Sequence, residues 1–279
     1  MYNKQIILIL LILFSSLTFA QKKEKIKGDK NVVIKETILN PFNRIVIGEK
    51  FKIELLEGTE PSVFIEADEN LHDVINFSVS DSTLSFGTSK RITTKKMLNI
   101  KVIYTSDLNL IETLDNGEVS NATTLNLNEL VLKNSGSSRA YLNIRGEKFK
   151  HINSENAKVE LNINATIATF ELDENSKLEA LVNAKTLQVD MFERADARID
   201  GNVDSLKVNT DNASNFKGKD LTTKTCEVKC TLSSDVYIQA LDSLRIDASG
   251  NSEVYIYGNP VITIDNFRNS SKLFKKDLK

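Results

Sequence analysis

The chain has 279 residues, with 36 Lys and Arg against 38 Asp and Glu, and a formal net charge of −2. A balance this even, with the two signs interspersed, excludes the basic face that nucleic-acid binding needs. Two cysteines exclude a disulfide framework, and only three prolines and eleven glycines punctuate a sequence with almost no helical patterning.

Residues 1–20 carry Lys4, an apolar run over 6–13, and Thr18-Phe19-Ala20. The run is shorter than the roughly 20 residues that cross a bilayer, and small residues sit where a signal peptidase cuts, so a secretory signal peptide is expected. No cysteine stands at the cleavage point to carry a lipid. No second apolar span follows, so the mature chain is expected to have no transmembrane span and to lie in the periplasm, at the outer membrane or on the cell surface.

Residues 21–31 read as a flexible lead. Over 32–107 the strand signals are frequent but irregular, at 44–47, 51–56, 62–67, 83–86 and 100–104. They predict the first coils of the fold and an N-terminal cap. The basic groups Lys90-Arg91 and Lys95-Lys96 within this region read as solvated loop.

From residue 108 to 265 the sequence repeats. Rows anchored at Ile111, Leu130, Phe149, Phe170, Leu187, Leu206, Cys226, Leu244 and Ile262 recur every 17 to 21 residues. Each opens with an apolar-x-apolar triplet such as Leu130-Val131-Leu132 or Leu206-Lys207-Val208, the period of a strand. A polar turn follows, as in Asn134-Ser135-Gly136, Asn153-Ser154 or Ser249-Gly250, made of residues that tolerate left-handed backbone angles. A second alternating strand then runs through Ala140, Leu142 and Ile144, and through Val254, Ile256 and Gly258, before a connector leads to the next row.

Strands with one apolar face close a core only by stacking row on row. The expected fold is therefore all-β: a single-stranded parallel β-helix, or β-solenoid, right-handed, with about 19 residues per coil. Propeller blades need about 40 residues, leucine-rich repeats a recurrent Asn frame, and hexapeptide helices three equal turns per coil; none fits. Residues 266–279, with Leu273-Phe274 among lysines, are expected to cap the far end, and 32–275 reads as one continuous domain.

Several segments resemble the bacterial family of auto-transporter adhesins with a head GIN domain, common in Bacteroidetes. The resemblance rests on the runs 42–47 (FNRIVI), 52–58 (KIELLEG) and 63–71 (VFIEADENL), on Asp81-Ser82-Thr83-Leu84, on the Ser-Gly turns and on the closing run 249–260 (SGNSEVYIYGNP). It implies a β-solenoid at the envelope or surface and an adhesive role, and it supplies no catalytic residues. Mid-chain turns depart from the family's Ser-Gly pattern, as in Asp190-Met191-Phe192-Glu193.

No constellation for chemistry stands out, and no cofactor or metal is expected. The two histidines, His72 and His151, lie in no metal spacing, and His151 takes an apolar place in its row, as a hydrogen-bonded core residue would. Ser135-Gly136-Ser137-Ser138 lacks the following helix of a phosphate loop. Cys226 and Cys230 read as small buried hydrophobes. Asp173 with Asp190, and Asp247 with Asp265, are expected at equivalent row positions, the spacing a glycosidase would need. Tyr237 and Tyr255 share one outward position, with Tyr257 two residues further on the same face. That patch suits a sugar ring, a partner or a structural ladder. The expected function is a non-enzymatic binding module, its candidate partners a glycan, an envelope component or a second copy. A carbohydrate-active enzyme and a periplasmic structural protein are the alternatives.

Overall fold

The computed structural model describes residues 23–277, so the signal-peptide expectation for residues 1–20 lies outside the described residues. The first strands are β1 (Lys25–Lys27), β2 (Val32–Ile38), β3 (Arg44–Ile47), β4 (Lys52–Glu57), β5 (Ser62–Asp68), β6 (Ile75–Ser80), β7 (Thr83–Thr88), β8 (Arg91–Thr94) and β9 (Leu98–Tyr104). Short strands follow at β10 (Leu110–Thr113), β11 (Glu118–Asn121), β12 (Leu125–Asn126) and β13 (Glu129–Asn134). The regular part is β14 (Arg139–Asn153), β15 (Lys158–Leu172), β16 (Lys177–Met191), β17 (Asp196–Thr210), β18 (Asn215–Cys230) and β19 (Asp235–Ala248). It ends with β20 (Glu253–Tyr257), β21 (Val261–Phe267) and β22 (Lys272–Lys275). One 3₁₀ turn, Glu69–Leu71, is the only helical element among the described residues.

The molecule is a β-solenoid of about nine turns with ~19 residues per turn. Each of the six long strands bends once and pairs on both sides of the bend, with register shifts at the bend between β17 and β18 and between β18 and β19. The bend is legible in burial: in β16 Leu178, Ala180 and Val182 face inward, then Leu187, Val189 and Met191 do. Even spacing keeps a strand on one face, and the odd step from 182 to 187 turns the chain through a corner. The two strands and a connector expected for each coil are thus halves of one strand.

Two sheets result. Face A is built from the first halves of β14–β19 with β11, β4, β9, β5 and β2 at one end and β20 and β22 at the other. Face B is built from the second halves with β13, β10, β3, β7 and β6 at one end and β21 at the other. Between them one apolar cluster runs unbroken from Phe42 to Ile256. Each coil contacts only its neighbours, so stability comes from the sum of these stacked interfaces.

Register corrects the row assignment at two places. Phe149 pairs with Ala168, and Phe170 with His151 and Val189, so the true steps here are uniform. Ile111 pairs with Leu132, not Leu130. A slip of two residues keeps every side chain on its own face, so alternation alone does not distinguish the two alignments.

The turns show why the column after them is so conservative in size. Ser138, Ala157, Ser176, Ala195, Ser214, Ser234 and Ser252 are all at most 1% exposed. Each lies at the inner corner where neighbouring coils approach at about 4.8 Å, and a larger side chain there would collide with the coil above or below. Two residues before each of these the chain takes a positive φ, at Gly136, Glu155, Glu174, Glu193, Asn212, Leu232 and Gly250, and Asp115 does the same before Gly117.

The N-terminal end is closed by antiparallel strands, β2 on β5 and β5 on β9 on one side and β6 on β7 on the other. Asp68 fastens this cap. Its carboxylate is fully buried and accepts the backbone N–H groups of Lys30 at 3.1 Å, Lys96 at 3.1 Å and Met97 at 3.0 Å. Burial alone would raise its pKa; the three N–H donors outweigh that and hold it below the ordinary carboxylate value. The lead is corrected here too: residues 25–27, expected to be flexible, form β1 and pair with β8. At the other end Leu273 and Phe274 lie in β22, which adds a strand to β20 and leaves β21 with one open edge.

Candidate functional site

On face B several charges of neighbouring coils are paired: Lys148 with Glu129 at 2.6 Å, Lys150 with Glu171 at 2.7 Å, Lys207 with Glu227 at 3.9 Å, and Arg245 with Asp265. Asp190 on the same face is held by Gln188 at 2.7 Å and Asn209 at 2.6 Å. Glu112, Lys133, Lys229 and Asp247 on this face have no ion-pair partner among the described residues.

Face A also pairs charges, Arg198 with Asp200 at 3.4 Å and Lys217 with Asp196 at 2.6 Å, but it leaves a like-charge acidic pair unpartnered across β14–β17 among the described residues. Its outward columns place Tyr141, Glu160, Glu179 and Arg198 in one register, with Asn143, Asn162, Leu181 and Asp200 beside them. These side chains line a shallow groove of about 590 Å³. Glu160 and Glu179 are directly opposite each other, an arrangement that destabilises a sheet, and neither forms an ion pair among the described residues. Leu181 is 45% exposed in the middle of the groove. Asn121 closes its upper end by mimicking backbone: its amide accepts the Asn143 N–H at 2.9 Å and donates to the Asn143 carbonyl at 2.8 Å. Uncommitted acceptors and amides beside an apolar step form a surface suited to hydroxyl-bearing ligands. Alternation marked each residue as outward, but only register brings them into one groove.

The tyrosines occupy the face A sheet near its C-terminal end. Tyr237 and Tyr255 stack at 4.3 Å with ring planes 1° apart, and Tyr255 stacks on Phe274 at 4.8 Å. Both flat faces of Tyr255 are therefore covered by other rings, and a sugar has no open face there on which to stack. Its hydroxyl donates to Glu253, which raises its pKa above the usual tyrosine value. Tyr257 stands beside this stack, in register with Gln239. The Lys276 ammonium lies 5.5 Å from both the Tyr255 and the Phe274 centroids, within cation–π reach of each. Phe274 completes the ladder, a role its place after the regular repeats concealed.

The carboxylate pairs do not form as expected. Asp190 pairs with Glu171, so Asp173 is two residues out of row, for the same reason that displaced Phe170. Asp247 pairs with Asn266 because the register shifts at this point and Asp265 bulges out to meet Arg245. His151 is fully buried beside Phe149 and Phe170, with Nε2 3.1 Å from Asn134 Oδ1. Burial lowers its pKa to about 3. His72 bonds the Val33 carbonyl at 3.1 Å in the cap. Cys226 and Cys230 are free and buried, with burial raising the pKa of each.

The sequence matches the family model described as "Putative auto-transporter adhesin, head GIN domain" over residues 41–181 and again over 147–260. The chain belongs to this family. No curated protein matches it significantly in sequence. As a head GIN domain it shares its fold with a "putative lipid binding protein" from Parabacteroides distasonis (17% identity, TM-score 0.59, covering 92% of this chain and 100% of the other). It is similar in the same way to a "putative adhesin" from that organism (17%, 0.57, 91% and 100%) and to one from Parabacteroides merdae (16%, 0.57, 92% and 100%). The mid-chain turns that depart from the Ser-Gly pattern of the head GIN domain keep its geometry, since Glu155, Glu174 and Glu193 adopt the left-handed φ of Gly136 and Gly250.

Proposed function

We propose that the protein is an exported, adhesin-type binding module that holds a glycan along face A, across β14–β17, without acting on it chemically. The observation that carries this reading is the pair Glu160 and Glu179, stacked directly opposite each other and without an ion-pair partner among the described residues, beside Asn143 and Asn162 in the face A groove. A like-charge ladder is a cost to folding, and a ligand whose hydroxyls donate to both carboxylates offsets it. Membership of an adhesin family supports a binding role, and the signal peptide expected at residues 1–20 an exported one; the Asp173–Asp190 and Asp247–Asp265 pairs of the glycosidase alternative are out of register.

The test is a glycan panel probed with residues 21–279 and two variants. Glu160→Ala with Glu179→Ala should abolish saturable binding, and Tyr237→Ala with Tyr255→Ala should leave it intact, since those rings are stacked on one another. Binding lost only in the tyrosine variant would move the site to the aromatic ladder. No binding by the parent chain to any glycan would refute the reading.

A further inference from the structure

A second site lies at the other end of the molecule, outside face A. The strands β1 and β8 pair only with each other, so they form a two-stranded flap that stands off the main sheets. The flap is tied internally by Lys90 to Glu24 at 2.9 Å and by the Arg91 N–H to the Glu24 carbonyl at 2.7 Å. Between it and the first coil opens a cleft of about 880 Å³. That volume is within the range of pockets that take small molecules, about 300 to 1,000 Å³.

The floor of the cleft is apolar: Phe51 is 3% exposed, and Ile92 and Leu98 pack partly against the core. Its rim is cationic, with Lys23, Lys50, Arg91 and Lys95 against two carboxylates, Glu49 and Asp115. Both carboxylates are already engaged. Glu49 accepts from the Lys23 ammonium at 2.7 Å and the Thr88 hydroxyl at 2.7 Å, and Asp115 accepts the Glu49 N–H at 3.3 Å. Lys50, Arg91 and Lys95 have no ion-pair partner among the described residues. Partial desolvation, with a smaller contribution from the nearby Lys52 ammonium, lowers the Lys95 pKa.

We propose that this cleft binds an anionic amphiphile, with a carboxylate or phosphate head held by Lys50, Arg91 and Lys95 and an apolar chain along Phe51, Ile92 and Leu98. A bare anion would leave the floor wet, and a neutral apolar molecule would leave the excess of cations over carboxylates uncompensated. One ligand with both parts satisfies both surfaces. The cluster 90–96 read as solvated loop because its charges are contiguous in sequence; the apolar floor comes from β4's approach and from β9, which only the fold brings beneath it.

The experiment uses residues 21–279 and the fluorescent fatty acid dansyl-undecanoate, with competition by laurate, lauryl phosphate, dodecanol and inorganic phosphate. Saturable fluorescence enhancement is expected, displaced by laurate or lauryl phosphate, and the stronger of these two fixes the head group. Arg91→Glu with Lys95→Glu should weaken binding about tenfold or more while glycan binding on face A is unchanged, so the two sites fail independently. Because these residues are exposed, the variant should keep the parent's circular dichroism and melting temperature. Ile92→Asp, the second variant, should weaken the probe and leave the fold intact. Displacement by dodecanol or by inorganic phosphate alone as effective as by laurate would overturn the proposal, as would equal probe affinity in both variants.

Discussion

His151 shows how one residue couples the core to pH. It stands in a column of buried apolar residues, in register with Leu132 and Phe170, and no charged group is among its contacts. The Asn134 amide donates to Thr113, so its Oδ1 is the acceptor and His151 carries its proton on Nε2, leaving Nδ1 buried without a partner. The folded pKa of about 3 lies below the ordinary value of 6.5. The fold therefore favours the neutral ring, and this part of the stability is complete above pH 6.5 and lost as pH falls below it, by up to about 1.4 kcal/mol per pH unit. His151→Leu should remove that slope. Urea titrations at pH 7 and pH 5 check it: the parent should lose up to about 2 kcal/mol more than the variant between these two values. Equal losses would mean that His151 is hydrated in solution.

At the scale of the element, the turn column carries stored strain. Glu155, Glu174 and Glu193 have φ of 59°, 57° and 55°, and no side-chain contact of theirs offsets the cost. A non-glycine residue in this region costs about 1 kcal/mol, partly recovered because glycine is freer in the unfolded chain. Glu174→Gly should therefore stabilise by about 0.5 kcal/mol, read as a higher urea midpoint at unchanged slope. Gly250→Ala should do the opposite by about 1 kcal/mol or more, since a Cβ there would lie 2.6 Å from the Leu232 carbonyl oxygen. The strands and turns were legible in the sequence because alternation and the Asn, Ser and Gly column are local signals. Register was less so: the two-residue slips at Ile111 and Phe170 preserved alternation, and they carried Asp173 into the wrong row. The face A groove and the amphiphile cleft were illegible for a related reason. Each is assembled from residues about 19 or more positions apart, and no single coil contains enough of either to reveal it.

For the whole molecule, the two ends are unequal. Antiparallel strands pinned by Asp68 close the N-terminal end, while β21 continues the core columns with no strand paired beyond it among the described residues: Ile262 is in register with Leu244, and Ile264 with Ile246. Val261, Ile262, Ile264 and Phe267 are 74%, 41%, 49% and 43% exposed, the densest apolar surface in the described chain. The edge is partly blunted by the bulge at Asp265 and by Lys272, Lys275 and Lys276, devices that oppose strand addition. They guard the backbone edge and leave the apolar row uncovered. Self-association should therefore begin at this end. Ile262→Lys with Ile264→Lys should suppress it at high protein concentration, as followed by light scattering. Since both residues are already about half exposed, the change should cost no more than about 1 to 2 kcal/mol of stability. A larger loss would mean that the last coil is covered in solution, and unchanged association would place the sticky surface elsewhere, with the exposed edge of β2, where Ile34 is 66% and Ile38 63% exposed, next in line.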